Sequence, residues 1–155
     1  MSWDKGRDVI EGLLDRGHLE RVSANEDEAA HLLAKARAHL RTAAAVAEDD
    51  PEIAYDALYA AARKALTALL VHQGLRPTRA GGYEVTIEAA TAQLVPPLGD
   101  VLRPFRRLKR RRGQGDYAGS EDQIHAEDID ADLPAAQAIV DAAGPDRLAR
   151  SGDLG

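Results

Sequence analysis

A chain of 155 residues is long enough for one domain with a real core and too short for two comfortable ones. It contains no cysteine, which excludes disulfides, thiolate nucleophiles and thiolate metal sites. The formal net charge of −6 argues against a general nucleic-acid coat protein, although the charge is unevenly spread. Seven of the ten residues from Arg103 to Arg112 are basic, whereas Glu121 to Asp132 carries six acids and neither Lys nor Arg.

Alanine and leucine dominate and β-branched residues are sparse, so an all-α fold is expected. No charged-then-apolar leader opens the sequence, and no apolar run approaches the ~18 residues that span a bilayer. A cytoplasmic location without membrane contact is the resulting expectation.

In chain order, Trp3–Arg16 has helical spacing in Val9, Ile10, Leu13 and Leu14, with Gly17 offering a stop. Ser23-Ala-Asn-Glu26 has the capping-box pattern and introduces an alanine-rich helix to about Glu48, with Ala29, Leu32, Leu33, Ala36, Leu40, Ala43 and Ala47 as its apolar line. Asp49-Asp50-Pro51-Glu52 then ends one helix and starts another. Asp50 suits a cap, Pro51 the first helical position and Glu52 the positive end of the dipole. The second helix is predicted to reach about Gln73, burying Ile53, Ala57, Leu58, Ala61, Ala65, Leu66, Leu69 and Leu70, with Gly74 at its C-terminal cap.

Arg76–Gly82 reads as a loop and Glu84–Leu94 as a shorter helix, interrupted by Pro96-Pro97. From Leu98 to Arg112 the apolar line Leu98, Val101, Leu102, Phe105 and Leu108 is helical, and Pro104 either kinks that helix or begins it. Gly113-Gln-Gly115 is expected to end it. A last helix lies between Glu127 and Ala143, using Ile129, Leu133, Ala136, Ile139 and Val140, before Gly144-Pro145 and a mobile tail. The expected organisation is an N-terminal helical extension over 1–22, a four- to five-helix bundle over 23–145 and a tail over 146–155.

The arginine-rich segment carries the candidate chemistry. Four residues beyond Leu108, the apolar line ends on Arg112, whose charge must reach an acid, another subunit or a bound anion. Arg103, Arg107, Arg110 and Arg111 are expected round the side as a solvated positive stripe. Gly113 and Gly115 would let the backbone turn, with Asp116 and Tyr117 following. Arginine binds phosphate bidentately and neutralises charge in a phosphoryl transition state. The competing reading is a basic helix end that complements its own dipole and pairs with the acidic stretch after Gly119.

The segments Ala54–Leu70, Leu102–Tyr117 and Glu127–Ala143 together resemble the HEPN family, over roughly residues 27–143. The resemblance implies an antiparallel four-helix bundle that dimerises with two motifs facing each other. Many such proteins are metal-independent endoribonucleases, often the toxin of a toxin–antitoxin pair or a defence effector, silenced by a minimal nucleotidyltransferase. The family motif is an arginine, four to six residues, then a histidine; it implies Arg112 as a phosphate ligand. Here the chain departs from it. With four residues between, Arg112 is followed by Tyr117 and Arg111 by Asp116. The nearest following histidine, His125, lies thirteen positions past Arg112. A tyrosine with a pKa near ~10 is a poor base at neutral pH unless strongly perturbed.

Asp56, Tyr59 and Arg63 share one face of their helix at i, i+3 and i+7. The resemblance, in which polar residues on this helix often face the motif, implies Asp56 and Arg63 as supporting candidates; the other reading is an exposed polar seam. His31 and His39 lie two turns apart on one helix, too far for a shared metal, and His18 and His72 have no partner at ligand spacing. No P-loop, dinucleotide fingerprint or hydrolase elbow appears, and no metal or cofactor is expected. Two functions follow as expectations. One is a homodimeric, RNA-engaging, toxin-like protein acting through Arg112, Arg111, Arg107 and Tyr117; the other is a catalytically silent bundle serving as a protein-interaction or nucleotide-binding scaffold.

Overall fold

A computed structural model describes residues 4–117 and 123–144; the side chains of Tyr83 and of residues 113–117 lie outside the described set. The chain is largely helical. Its elements are α1 (Arg7–Asp15), β1 (Leu19–Arg21), α2 (Glu26–Val46), α3 (Pro51–His72), β2 (Leu75–Pro77), α4 (Gly82–Leu94), α5 (Gly99–Leu102), α6 (Pro104–Tyr117) and α7 (Ala126–Ala142). No described helix is long and apolar enough to cross a membrane.

The core forms around α3. Thirteen of its side chains are buried, because its alanines and leucines occupy nearly every face. Helix α2 lies along one side of it, while α6 and α7 cover others. Small alanine side chains at Ala36, Ala43, Ala54, Ala61, Ala62 and Ala65, all fully buried, let these helices approach closely. Phe105 and Leu108 of α6 and Ile129, Ile139 and Val140 of α7 complete the main cluster.

Both α2 and α3 start on a side-chain cap. Asp50 Oδ1 accepts from the Ile53 amide at 3.2 Å, and Pro51 follows at the first helical position. At α2 the cap is Asn25, whose Oδ1 accepts from the Glu28 amide at 3.0 Å, not the expected Ser23. The short polar side chain two residues later won because the chain is still extended before it. Ile53 is another correction: it lies on the first turn of α3, beyond the cover of neighbouring helices, and is 53% exposed.

The expected loop after Gly74 contains β2, which pairs antiparallel with β1 in the register Leu19↔Pro77, Glu20↔Arg76 and Arg21↔Leu75. Three-residue strands leave too little alternation to read. The ribbon and α1 cover the other end of α3 and α4, where Ile10, Leu13, Leu19, Leu70, Leu75, Val85 and Ala89 form a second apolar cluster. Gly17 terminates α1 as expected, with φ +74° and with His18 and Gly17 amides donating to Leu13 and Leu14 carbonyls.

Of the two readings left open at Pro104, a helix start is the one observed: α5 is a separate short turn before that residue, and α6 begins there. Gly113 and Gly115 do not end it; the helix runs to Tyr117. Tolerance of glycine in a helix costs only about 1 kcal/mol each, which tertiary context can override. Trp3, Pro145 and the tail expected over 146–155 lie outside the described residues.

Candidate functional site

The basic helix α6 packs between α3 and α7, so its arginines meet two sets of acids and two tyrosine rings. Arg107 N–H faces Asp132 Oδ1 at 3.3 Å, and Tyr55 Oη donates to Asp132 Oδ2 at 2.6 Å. Asp132, from the acidic stretch after Gly119, is buried, at 6% exposure. Its position on α7 turns it toward α3 and α6, and Arg107 supplies the countercharge that makes its burial tolerable. Burial first, and then the bond to Asp132 and its charge, raise the Tyr55 phenol well above the ordinary tyrosine value.

One turn along α6, Arg111 reaches Asp128 at 3.1 Å and lies 5.8 Å from the centre of the Tyr55 ring. Its side chain is 28% exposed, so the expectation of a solvated stripe fails for this residue. The cause is the α7 packing, which turns Arg111 inward. Arg111 Nε is buried and has no hydrogen-bond partner among the described residues.

Arg112 sits beside it but more openly, at 44% side-chain exposure. Its guanidinium stands 5.3 Å from the centre of the Tyr59 ring and 3.8 Å from Asp56 Oδ1. The acid partner required at this position is therefore Asp56, and the supporting role read for Asp56 acquires a contact. Tyr59 also packs on Phe105, with ring centroids 5.6 Å apart, which fixes the platform under the guanidinium.

The remaining cations are peripheral. Arg106 and Lys109 both face Glu84 of α4, at 3.3 and 3.5 Å. Arg103 pairs with Asp100 at 2.8 Å on an exposed surface, and Arg110 is exposed. The pairing of α6 with the acidic stretch, weighed as the plain reading of the charge pattern, thus occurs at Asp128 and Asp132. Arg63 lies on α3 close enough to His39 and Lys64 to act on their charges, rather than in the Arg111–Arg112 contacts described above. Asp116 and Tyr117 belong to α6, but their side chains lie outside the described residues. His125 precedes α7, its amide donating to Asp128 Oδ2 at 2.8 Å. Among the described residues no group of three or more His, Asp or Glu side chains is arranged to hold a metal ion.

Chemically, the α3–α6–α7 junction combines arginine donors with aromatic faces and carboxylates. Sequence reasoning overlooked Tyr55 because its position within an apolar run gave it no polar periodicity. Asp132 was legible only as part of an acidic stretch. Comparison with known protein families, curated proteins and solved structures finds no match.

Proposed function

We propose that this chain is a HEPN-like, RNA-engaging protein, the toxin-like or effector member of a toxin–antitoxin or defence module. In this reading α2, α3, α6 and α7 are the four helices of the family bundle, and two copies pair so that their α6 exits face each other. The supporting observation is the Arg112 guanidinium: held over Tyr59, only loosely approached by Asp56, and open to solvent. Such a group is oriented yet available to donate to a phosphate oxygen. Exposed Arg110 adds charge beside it, and Tyr117 stands at the family's histidine position. A minimal nucleotidyltransferase would be the silencing partner.

A second reading, the catalytically silent scaffold for a protein partner or nucleotide, draws support from the pairing of Arg107 and Arg111 with Asp132 and Asp128. These carboxylates compete with phosphate for the same guanidinium groups. Incubating the purified chain with transfer RNA in the absence of divalent metal separates the two. Cleavage that vanishes in Arg112→Ala and Tyr117→Phe supports the endoribonuclease. Salt-sensitive binding without cleavage supports the silent scaffold in its nucleotide-binding form, and absence of both removes RNA from the account.

A further inference from the structure

A second concentration of positive charge lies on α2 and α3, away from the α6 exit. No acid occurs from Ala29 to Ala47, nor from Ala57 to Tyr83. Within the first stretch, Lys35 and His39 stand at i and i+4 and so share a face of α2. The second supplies Arg63 and Lys64 to α3. Packing of α2 along α3 brings Lys64 Nζ to 2.5 Å from His39 Nε2, with both residues half-buried and Lys35 exposed beside them. Nζ is a donor only, so His39 must accept at Nε2 and carry its ring proton on Nδ1.

This contact brings cationic groups together. Burial, then Lys64, Lys35 and Arg63, hold the His39 pKa below its ordinary value. Burial, then Arg63 and Lys35, do the same for Lys64. No carboxylate of the described residues acts in the opposite direction on either group. The contrast with α6 is direct, because there Arg106, Arg107, Lys109, Arg111 and Arg112 each face a carboxylate. No such ion pair forms at Lys35 or Lys64 among the described residues.

We infer that the seam formed by Lys35, His39 and Lys64 is a binding site for a phosphate group. Lys64 Nζ and His39 Nε2 meet from two helices, and Lys35 lies one turn from His39 on α2, so an oxyanion seated there would meet cationic groups from both helices. Two ammonium groups offer rotatable donors; a bound anion draws the Lys64 ammonium off His39 Nε2 and favours protonation of the ring, which then donates there as well. The phosphate is carried either by a small nucleotide or by a nucleic-acid strand. This inference stands on α2 and α3 alone and does not depend on the α6 reading.

The test follows histidine ring resonances of the full chain by NMR during titration with inorganic phosphate, adenosine monophosphate and a short oligouridylate, against matched chloride. His39 is expected to shift saturably, and its pKa to rise by about one pH unit at saturation, as a neighbouring anion requires. Lys64→Met should abolish both effects. Lys35→Met, a change at an exposed position, should weaken binding about tenfold, the loss of one charge-assisted contact. Arg41→Met, elsewhere on α2, should leave the titration unchanged. Tighter binding of the oligouridylate than of the monophosphate identifies a strand as the ligand; equal affinity identifies a small nucleotide recognised through its phosphate. An unmoved His39, or a shift that survives both lysine substitutions, overturns the site.

Discussion

Tyr55 Oη donates to Asp132 Oδ2 at 2.6 Å, tying α3 to α7 inside the core, while the other oxygen of that carboxylate faces Arg107 of α6. Three helices therefore share one buried acid. Removing the phenol leaves Asp132 with fewer donors in a place water does not reach. Tyr55→Phe should cost about 1–3 kcal/mol, the usual penalty for depriving a buried polar group of its partner. Asp132→Asn combined with Tyr55→Phe should cost less than the sum of the single changes, with a coupling on the order of 1 kcal/mol. Denaturant titrations of the four proteins measure this cycle. The raised Tyr55 pKa has a definite sign as well: the folded state holds its phenolic proton more tightly than the unfolded chain. Its contribution is complete below about pH 10 and declines as the pH rises through the folded-state value.

Arg111 and Arg112 are neighbours in sequence with opposite expected phenotypes. Arg111 is tucked against Tyr55 and Asp128, so Arg111→Ala should destabilise the fold by about 1–2 kcal/mol through lost packing and a half-buried ion pair. Arg112 is more open, and Arg112→Ala should change stability by less than about 1 kcal/mol. If Arg112 engages RNA, its loss should weaken binding across sequences and lower the slope of log affinity against log salt by about one contact. Thermal melts and binding isotherms at several salt concentrations separate the two behaviours.

The helices were legible because they are long and strongly patterned. Asp50-Pro51 and Gly17 act through local backbone chemistry, and both stand where the sequence suggests. The site was legible only as a location. Helical phase identified Arg112 as anomalous on an apolar line, but which acid meets it depends on α3 lying against α6, a relation between residues 56 positions apart. Arg111 looked peripheral for the same reason: the stripe was drawn on an isolated helix, before α7 closed over it. The contact of Lys64 with His39 escaped notice because neither residue breaks a pattern on its own helix. The β1–β2 ribbon is too short for a period of two to register.

His39 makes a prediction in the acid range. Its folded-state pKa lies below the unfolded value of 6.5, so protonation favours the unfolded chain. The stabilisation is complete above about pH 6.5 and is lost as the pH falls through the folded-state value. His39→Gln should flatten the decline in stability between about pH 7 and pH 5, compared with the unaltered protein at each pH. Carboxylate titration affects both proteins alike and cancels in the difference. Equal slopes for the two would show that His39 does not feel the neighbouring lysines.

Gly74 and Gly17 both have left-handed backbone, with φ +78° and +74°, yet their surroundings differ. At Gly17 a Cβ would meet nothing within 4 Å. Alanine there pays only the conformational penalty of about 1 kcal/mol for a side chain in that region. At Gly74 a Cβ would come within 2.9 Å of the Val22 carbonyl oxygen, where the Val22 amide also donates to the Gly74 carbonyl at 2.9 Å. Alanine at 74 must therefore push the chain leaving β1 away from the end of α3, loosening that hydrogen bond and the adjoining strand pair. Gly74→Ala is expected to lose about 1–3 kcal/mol more than Gly17→Ala, the cost of overpacking added to the same dihedral strain. Hydrogen exchange locates the effect: the Val22 amide should lose protection in Gly74→Ala and keep it in Gly17→Ala. Equal destabilisation with unchanged Val22 protection would mean that the close approach of Val22 to Gly74 contributes nothing to the choice of glycine.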